Sequence, residues 1–168
     1  MALKKNMRTR SKIGSTIVTL LCVATTYATD IERASYKITI PDKSTVDPQD
    51  SDIDLDHMTT INLPNDNNII ILAIDDKALI DKSFTTMTEK YKNALKNVQE
   101  TGSDMANLRN GKGVLLTGLF NGMKYCFEVG AFAGKKCGFI IVCAYPEKER
   151  VETREMAKKV VDSLKIKE

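Results

Sequence analysis

Two runs in this 168-residue chain, Ile69-Ile70-Ile71-Leu72 and Phe139-Ile140-Ile141-Val142, are apolar at every position. A strand that is apolar on both faces has no side to give to water, so the first run reads as a central strand of its sheet. Around it the period is two. Tyr36, Ile38 and Ile40 alternate with Lys37 and Thr39, a half-buried strand that Pro41 closes. Residues 57–64 and 67–75 read as two more strands, joined through the turn cluster Pro64-Asn65-Asp66-Asn67. Then the period changes. Phe84, Met87, Tyr91, Leu95 and Val98 recur at three and four residues, one face of an amphipathic helix that Asp81 or Ser83 starts and Gly102 ends. Residues 112–120, 122–129 and 137–145 return to strands, with turns at Asn121-Gly122 and Gly134-Lys135. A second helix closes the chain over residues 149–167, with Ala157, Val160, Val161 and Leu164 along one stripe. The order is β-β-β-α-β-β-β-α. It predicts an α+β fold, an antiparallel sheet of about six strands with two amphipathic helices packed on it.

The first 28 residues follow a different grammar. Lys4, Lys5, Arg8, Arg10 and Lys12 make a basic start without an acid, and residues 13–28 carry no charge. That run is shorter than the roughly 20 apolar residues a spanning helix needs. It ends in small residues, with Thr26 and Ala28 at the −3 and −1 positions of a cut after Ala28. This is the layout of a cleaved secretory signal peptide, and it leaves residues 29–168 as one domain with no membrane span. Leu20 and Leu21 precede Cys22, where a lipidated cysteine would follow a small residue. Cleavage removes five basic residues, so 20 basic and 22 acidic ones remain and the net charge moves from +3 to −2. No basic excess is left for nucleic acid. The expected setting is the periplasm or the exterior.

Residues 36–41, the central helix, Lys112-Gly113, residues 122–125 and the closing segment 157–165 together resemble the PsbP-like (DcrB-like) α/β/α sandwich over residues 35–167. The resemblance implies a binding or assembly factor, not an enzyme. The expected partner is a protein or envelope component, and no cofactor is expected. The chain departs from the pattern in lacking the Trp that often follows the first Pro, and in the acidic loop that stands there.

Cys126, Cys137 and Cys143 fall within 20 residues of one another. With a two-residue turn at Gly134-Lys135, whose leading glycine suits a type II′ hairpin, Cys126 stands directly opposite Cys143 in a non-hydrogen-bonded pair. There the Cα atoms approach to about 4.5 Å, inside the disulfide range. An oxidising compartment favours that bridge and leaves Cys137 as a free thiol. The alternative is three reduced, buried cysteines acting as small hydrophobes. The spacing does not suit a zinc site, and His57 is the only histidine. The bridge depends on the turn, because one inserted residue destroys the pairing.

Asp47, Asp50, Asp52, Asp54 and Asp56 are the one carboxylate cluster. A calcium loop counted from Asp50 needs Gly and Glu where Leu55 and Ile61 stand, so Asp50, Asp52, Asp54 and Asp56 read as a solvated loop and a weak cation site at most. Asp75-Asp76 reads as a turn cap, and His57 as a surface residue at a strand start. Phe120, near a hairpin tip, is either a partner contact or a core residue. No phosphate-binding glycine loop is present, and no catalytic residue or metal ligand is assigned. The leading expectation is an exported, non-enzymatic binding or assembly module. Its rivals are a small secreted enzyme, working through the Cys137 thiol or the aspartate carboxylates, and a secreted inhibitor or immunity-type protein. A deep polar cleft would favour the enzyme, an exposed apolar groove the binding module.

Overall fold

The alternating segments pair into sheets in the computed structural model, which describes residues 28–47, 57–103, 105 and 109–167. The strands are β1 (Thr29–Glu32), β2 (Tyr36–Ile40), β3 (Thr45–Val46), β4 (Met58–Asn62), β5 (Asn68–Ile74), β6 (Lys96–Gly102), β7 (Lys112–Phe120), β8 (Met123–Ala133), β9 (Gly138–Pro146) and β10 (Lys165–Ile166). The helices are α1 (Ile80–Ala94) and α2 (Arg150–Ser163). Seven strands form one antiparallel sheet in the order β3-β4-β5-β9-β8-β7-β6, and three form a second, β1-β2-β10.

The large sheet separates two cores. On one side α2 and the small sheet cover it, burying Tyr36, Ile38, Ile71, Phe139, Val160 and Leu164 among others. On the other side α1 covers it, over Leu116, Phe127, Val129, Ile140 and Val142. The molecule is therefore the expected α+β sandwich, with its helices on opposite faces. β9 sits mid-sheet and is buried on both faces from Gly138 to Tyr145. β5 alternates instead, with Ile69, Ile71 and Ala73 buried and Ile70, Leu72 and Ile74 only partly so.

Three expectations need correction. The amphipathic stripe of α1 does not run on to Gly102. The helix stops at Ala94, Leu95 turns extended, and residues 96–102 become β6, the outer strand beside β7. Ladder bonds to β7 outweigh a helical period that continues through Leu95 and Val98 by coincidence. A bulge at residues 97 and 98, with Asn97 at φ 53°, adjusts the strand's pairing. Second, β1, β3 and β10 add strands of two to four residues, too short to show a period.

The third correction concerns a turn. The hairpin at Asn121-Gly122 forms as expected, with both residues at positive φ and Phe120 opposite Met123. The one at Gly134-Lys135 does not. Ala133 pairs with Gly138, and residues 134–137 form a four-residue loop in which the Gly134 N–H donates to the Cys137 carbonyl at 2.8 Å. The register is thereby two residues away from the expected one. Cys126 stands opposite Tyr145, and Cys143 opposite Glu128. The two cysteines become diagonal neighbours, whose Cα atoms are typically about 7–8 Å apart, too far for a bridge. Among the described residues none of the three cysteines is in a disulfide, and all three are buried.

Candidate functional site

α1 is narrower than the sheet beneath it. It packs over β7, β8 and β9, so the outward side chains of β4 and β5 lie beside it. Met58 stands opposite Leu72, and Thr60 opposite Ile70; all four are only half-buried. Between α1 and β5 runs a groove of about 370 Å³ lined by Leu72, Leu79, Lys82, Ser83, Thr86 and Met87. Leu79 is 48% exposed at its rim. Single exposed apolar residues are ordinary, whereas a contiguous set flanked by polar side chains marks a surface made to be covered. The sequence carried this signal as a strand apolar on both faces. What it did not show was that one helix is too narrow to cover all of them.

The hairpin tip at the other edge of α1 is a second exposed feature. Phe120 is half-buried there, its ring centroid 5.5 Å from that of Tyr125 and 5.9 Å from that of Phe127. Tyr91 of α1 stacks on Phe127 at 4.7 Å. Phe120 thus extends the core beneath α1, and the exposed large apolar residue of the tip is Met123, at 58%. A smaller cleft beside it, of about 290 Å³, is lined by the ion pair of Lys124 with Glu147, at 3.5 Å.

The strongest polar chemistry lies inside. Glu128 has no exposed surface, although it sits in mid-strand on β8. The Ser103 hydroxyl donates to its Oε1. The Tyr145 hydroxyl donates to Oε2 at 2.9 Å, and Arg154 of α2 places Nε 3.2 Å from the same oxygen. Both carboxylate oxygens are therefore occupied. Burial and the neighbouring Glu128 charge push the Tyr145 hydroxyl pKa up. The signal for this cluster was visible, a lone acid in the apolar stretch 125–133, in phase with Cys126, but its partners come from three distant segments.

The cysteines share this interior. Burial pushes the Cys126 thiol up to about 11 and the Cys143 thiol well above its ordinary value. Cys143 donates weakly to the Met105 sulfur at 3.9 Å. A nucleophilic thiol needs a lowered pKa and access, and these two have neither. Cys137 is buried at the base of its loop. Asp50, Asp52, Asp54 and Asp56 lie outside the described residues, and Asp47 accepts from the Asn62 amide. Asp76 caps the turn that leads into α1, accepting from the Ala78 N–H at 2.9 Å. His57 pairs with Asp75 at 2.9 Å on the surface. Among the described residues no three His, Cys, Asp or Glu side chains converge on a metal position, and no helix is long and apolar enough to cross a membrane.

Fold and surface together define an α+β sandwich with a buried carboxylate, Glu128, in its core and an apolar groove outside. No protein-family model matches the sequence, and no curated protein matches it. Solved structures do. The chain is similar to the Ran-binding protein Mog1p of Saccharomyces cerevisiae, with a TM-score of 0.56 and 8% identity over 84% of this chain and 96% of that one. It is similar to cyanobacterial PsbP (CyanoP) of Synechocystis sp. PCC 6803, with a TM-score of 0.51 and 8% identity over 87% of this chain and 96% of that one. A Bacteroides thetaiotaomicron protein matches with a TM-score of 0.52 and 12% identity over 82% of this chain, which spans 47% of it. At such identities the likeness is one of fold.

Proposed function

We propose that this protein is an exported, non-enzymatic binding or assembly module, and that a protein or envelope component is its partner. The observation that carries the reading is the groove between α1 and β5. It is exposed and largely apolar, while the Glu128 carboxylate, on which Ser103, Tyr145 and Arg154 converge, is itself closed to solvent. Mog1p, of similar fold, is named as a Ran-binding protein, which supports a protein partner. The basic and apolar segments of residues 1–28 support export.

Site-specific photo-crosslinking in the producing cell tests the reading. A photoreactive amino acid at Leu79 is expected to give discrete adducts of higher mass. The same group at Val151, 80% exposed on α2 on the opposite side of the sheet, should give none. Leu79→Asp should abolish adducts formed from a second photoreactive position at Thr86. Equal labelling at Leu79 and Val151, or none at either, would remove the groove as the binding surface.

A further inference from the structure

The buried Glu128 and its polar partners do no work in the binding reading, but they bear on the register of β8 on β9. Slipping one strand by a single residue would turn every side chain to the wrong face, but a slip of two restores the faces. The register with a two-residue turn at Gly134-Lys135 is two residues from the one observed. On the α1 side it would set Phe127, Val129 and Ala131 against Val142, Ile140 and Gly138, in place of Ala144, Val142 and Ile140. On this face apolar contact barely distinguishes the two arrangements.

Polar contact does. In the observed register Tyr145 is diagonal to Glu128 and donates to it at 2.9 Å, while Ser103 and Arg154 occupy the rest of the carboxylate. In the slipped register Tyr145 would stand opposite Lys124, and Glu128 opposite Ile141. The carboxylate would lose its hydroxyl partner from β9 while still facing the core, and an under-satisfied buried charge is strongly disfavoured. The stacked pair Phe132–Phe139, with ring centroids 5.3 Å apart, would also separate. The slipped register has one covalent consequence. It sets Cys126 opposite Cys143, where a disulfide fits.

We propose that Glu128, through Tyr145 and Arg154, is the register lock of the β8–β9 hairpin, and that the register it excludes is the one a Cys126–Cys143 disulfide would trap. A buried polar group that selects one of two otherwise equivalent registers is a known use of such groups. The trapping step is thiol–disulfide exchange. A small-molecule disulfide such as oxidised glutathione accepts two electrons and two protons from the two thiols. One S–S bond forms in the protein, one breaks in the oxidant, and two glutathione thiols leave.

The test is oxidative refolding of the full chain carrying Cys22→Ala, so that Cys126, Cys137 and Cys143 are the thiols that report. The reduced, denatured protein is refolded in a glutathione buffer, free thiols are blocked, and bridged peptides are mapped by mass without reduction. With Glu128 intact, the folded product should keep three free thiols. Glu128→Leu should raise the Cys126–Cys143 species about tenfold, the shift expected when a charge-assisted contact is lost from a two-state choice. Tyr145→Phe removes only the hydroxyl and should raise it less, which keeps the test open if Glu128→Leu folds poorly. A Cys126–Cys143 bridge already dominant with Glu128 intact would overturn the lock. So would no increase in either variant, or an unselective mixture of the three possible pairings.

Discussion

Cys126 gives up all its solvent contact on folding, and burial pushes its thiol up to about 11 from an ordinary value of 9.0. Burial raises Cys143, Tyr36, Tyr91 and Tyr145 in the same direction. A group whose pKa rises on folding holds its proton more tightly in the native state. Its support is complete below the unfolded value and is lost as pH climbs through the folded one. For Cys126 that window runs from about 9 to about 11. The melting temperature is therefore expected to fall steadily across this range, and Cys126→Ala should make the fall shallower. A melting temperature level from pH 9 to 11 would contradict the burial of these groups. The same burial predicts how the thiols behave at neutral pH. The folded protein should take up almost no alkylating agent. In denaturant without reductant Cys126, Cys137 and Cys143 should all react, because none is bridged.

At the scale of elements, the contact between α1 and β9 is the tightest to read. Gly138 opens β9 directly beneath the first residue of α1. A Cβ there would lie 2.1 Å from Ile80 Cγ1 and 2.2 Å from Cδ1. Gly138→Ala is expected to cost about 1–3 kcal/mol by overpacking. Ile80→Ala opens room for the added methyl, so the double variant should be more stable than the two single losses added together. Urea denaturation of the four proteins measures this, and strict additivity would mean that α1 does not bear on Gly138. The same contact explains part of what was legible in the sequence. Strands and helices with a long, clean period were readable, as was the Asn121-Gly122 turn, because local chemistry decides them. β6 was not, since Leu95 and Val98 keep a helical spacing while their fate is set by β7, many residues later. The four-residue loop at 134–137 was not, because its register depends on Glu128, whose partners lie on other segments. The groove was half legible. Leu72 announced an apolar outer face on β5, but only the placement of α1 shows that the face stays open.

At the scale of the whole molecule, the question is where the folded unit begins. β1 starts at Thr29, the residue after the expected cut, and pairs along β2 from Thr29 opposite Ile40 to Glu32 opposite Lys37. Ile31 packs against the core beneath α2. Lys37 sits 2.6 Å from Asp30, the Thr39 hydroxyl donates to Asp30 at 2.8 Å, and these bonds hold the Asp30 carboxyl below the usual carboxylate range. Glu32 pairs with Lys167 at 2.7 Å, tying the start of the domain to its end. A cut after Ala28 thus removes none of the described strands or helices, whereas a cut four residues later would remove β1. On the proposal of export, the mature protein is expected to have the intact mass of residues 29–168. That form should melt with the full stability of the domain, while a chain starting at Arg33 should melt lower by roughly 3–8 °C, as a loss of 1–2 kcal/mol produces at this size. Equal melting of the two forms would mean that β1 adds nothing to the sandwich. An exported mass that retains residues 1–28 would remove the cleaved signal peptide, and the binding reading would then rest on the groove alone.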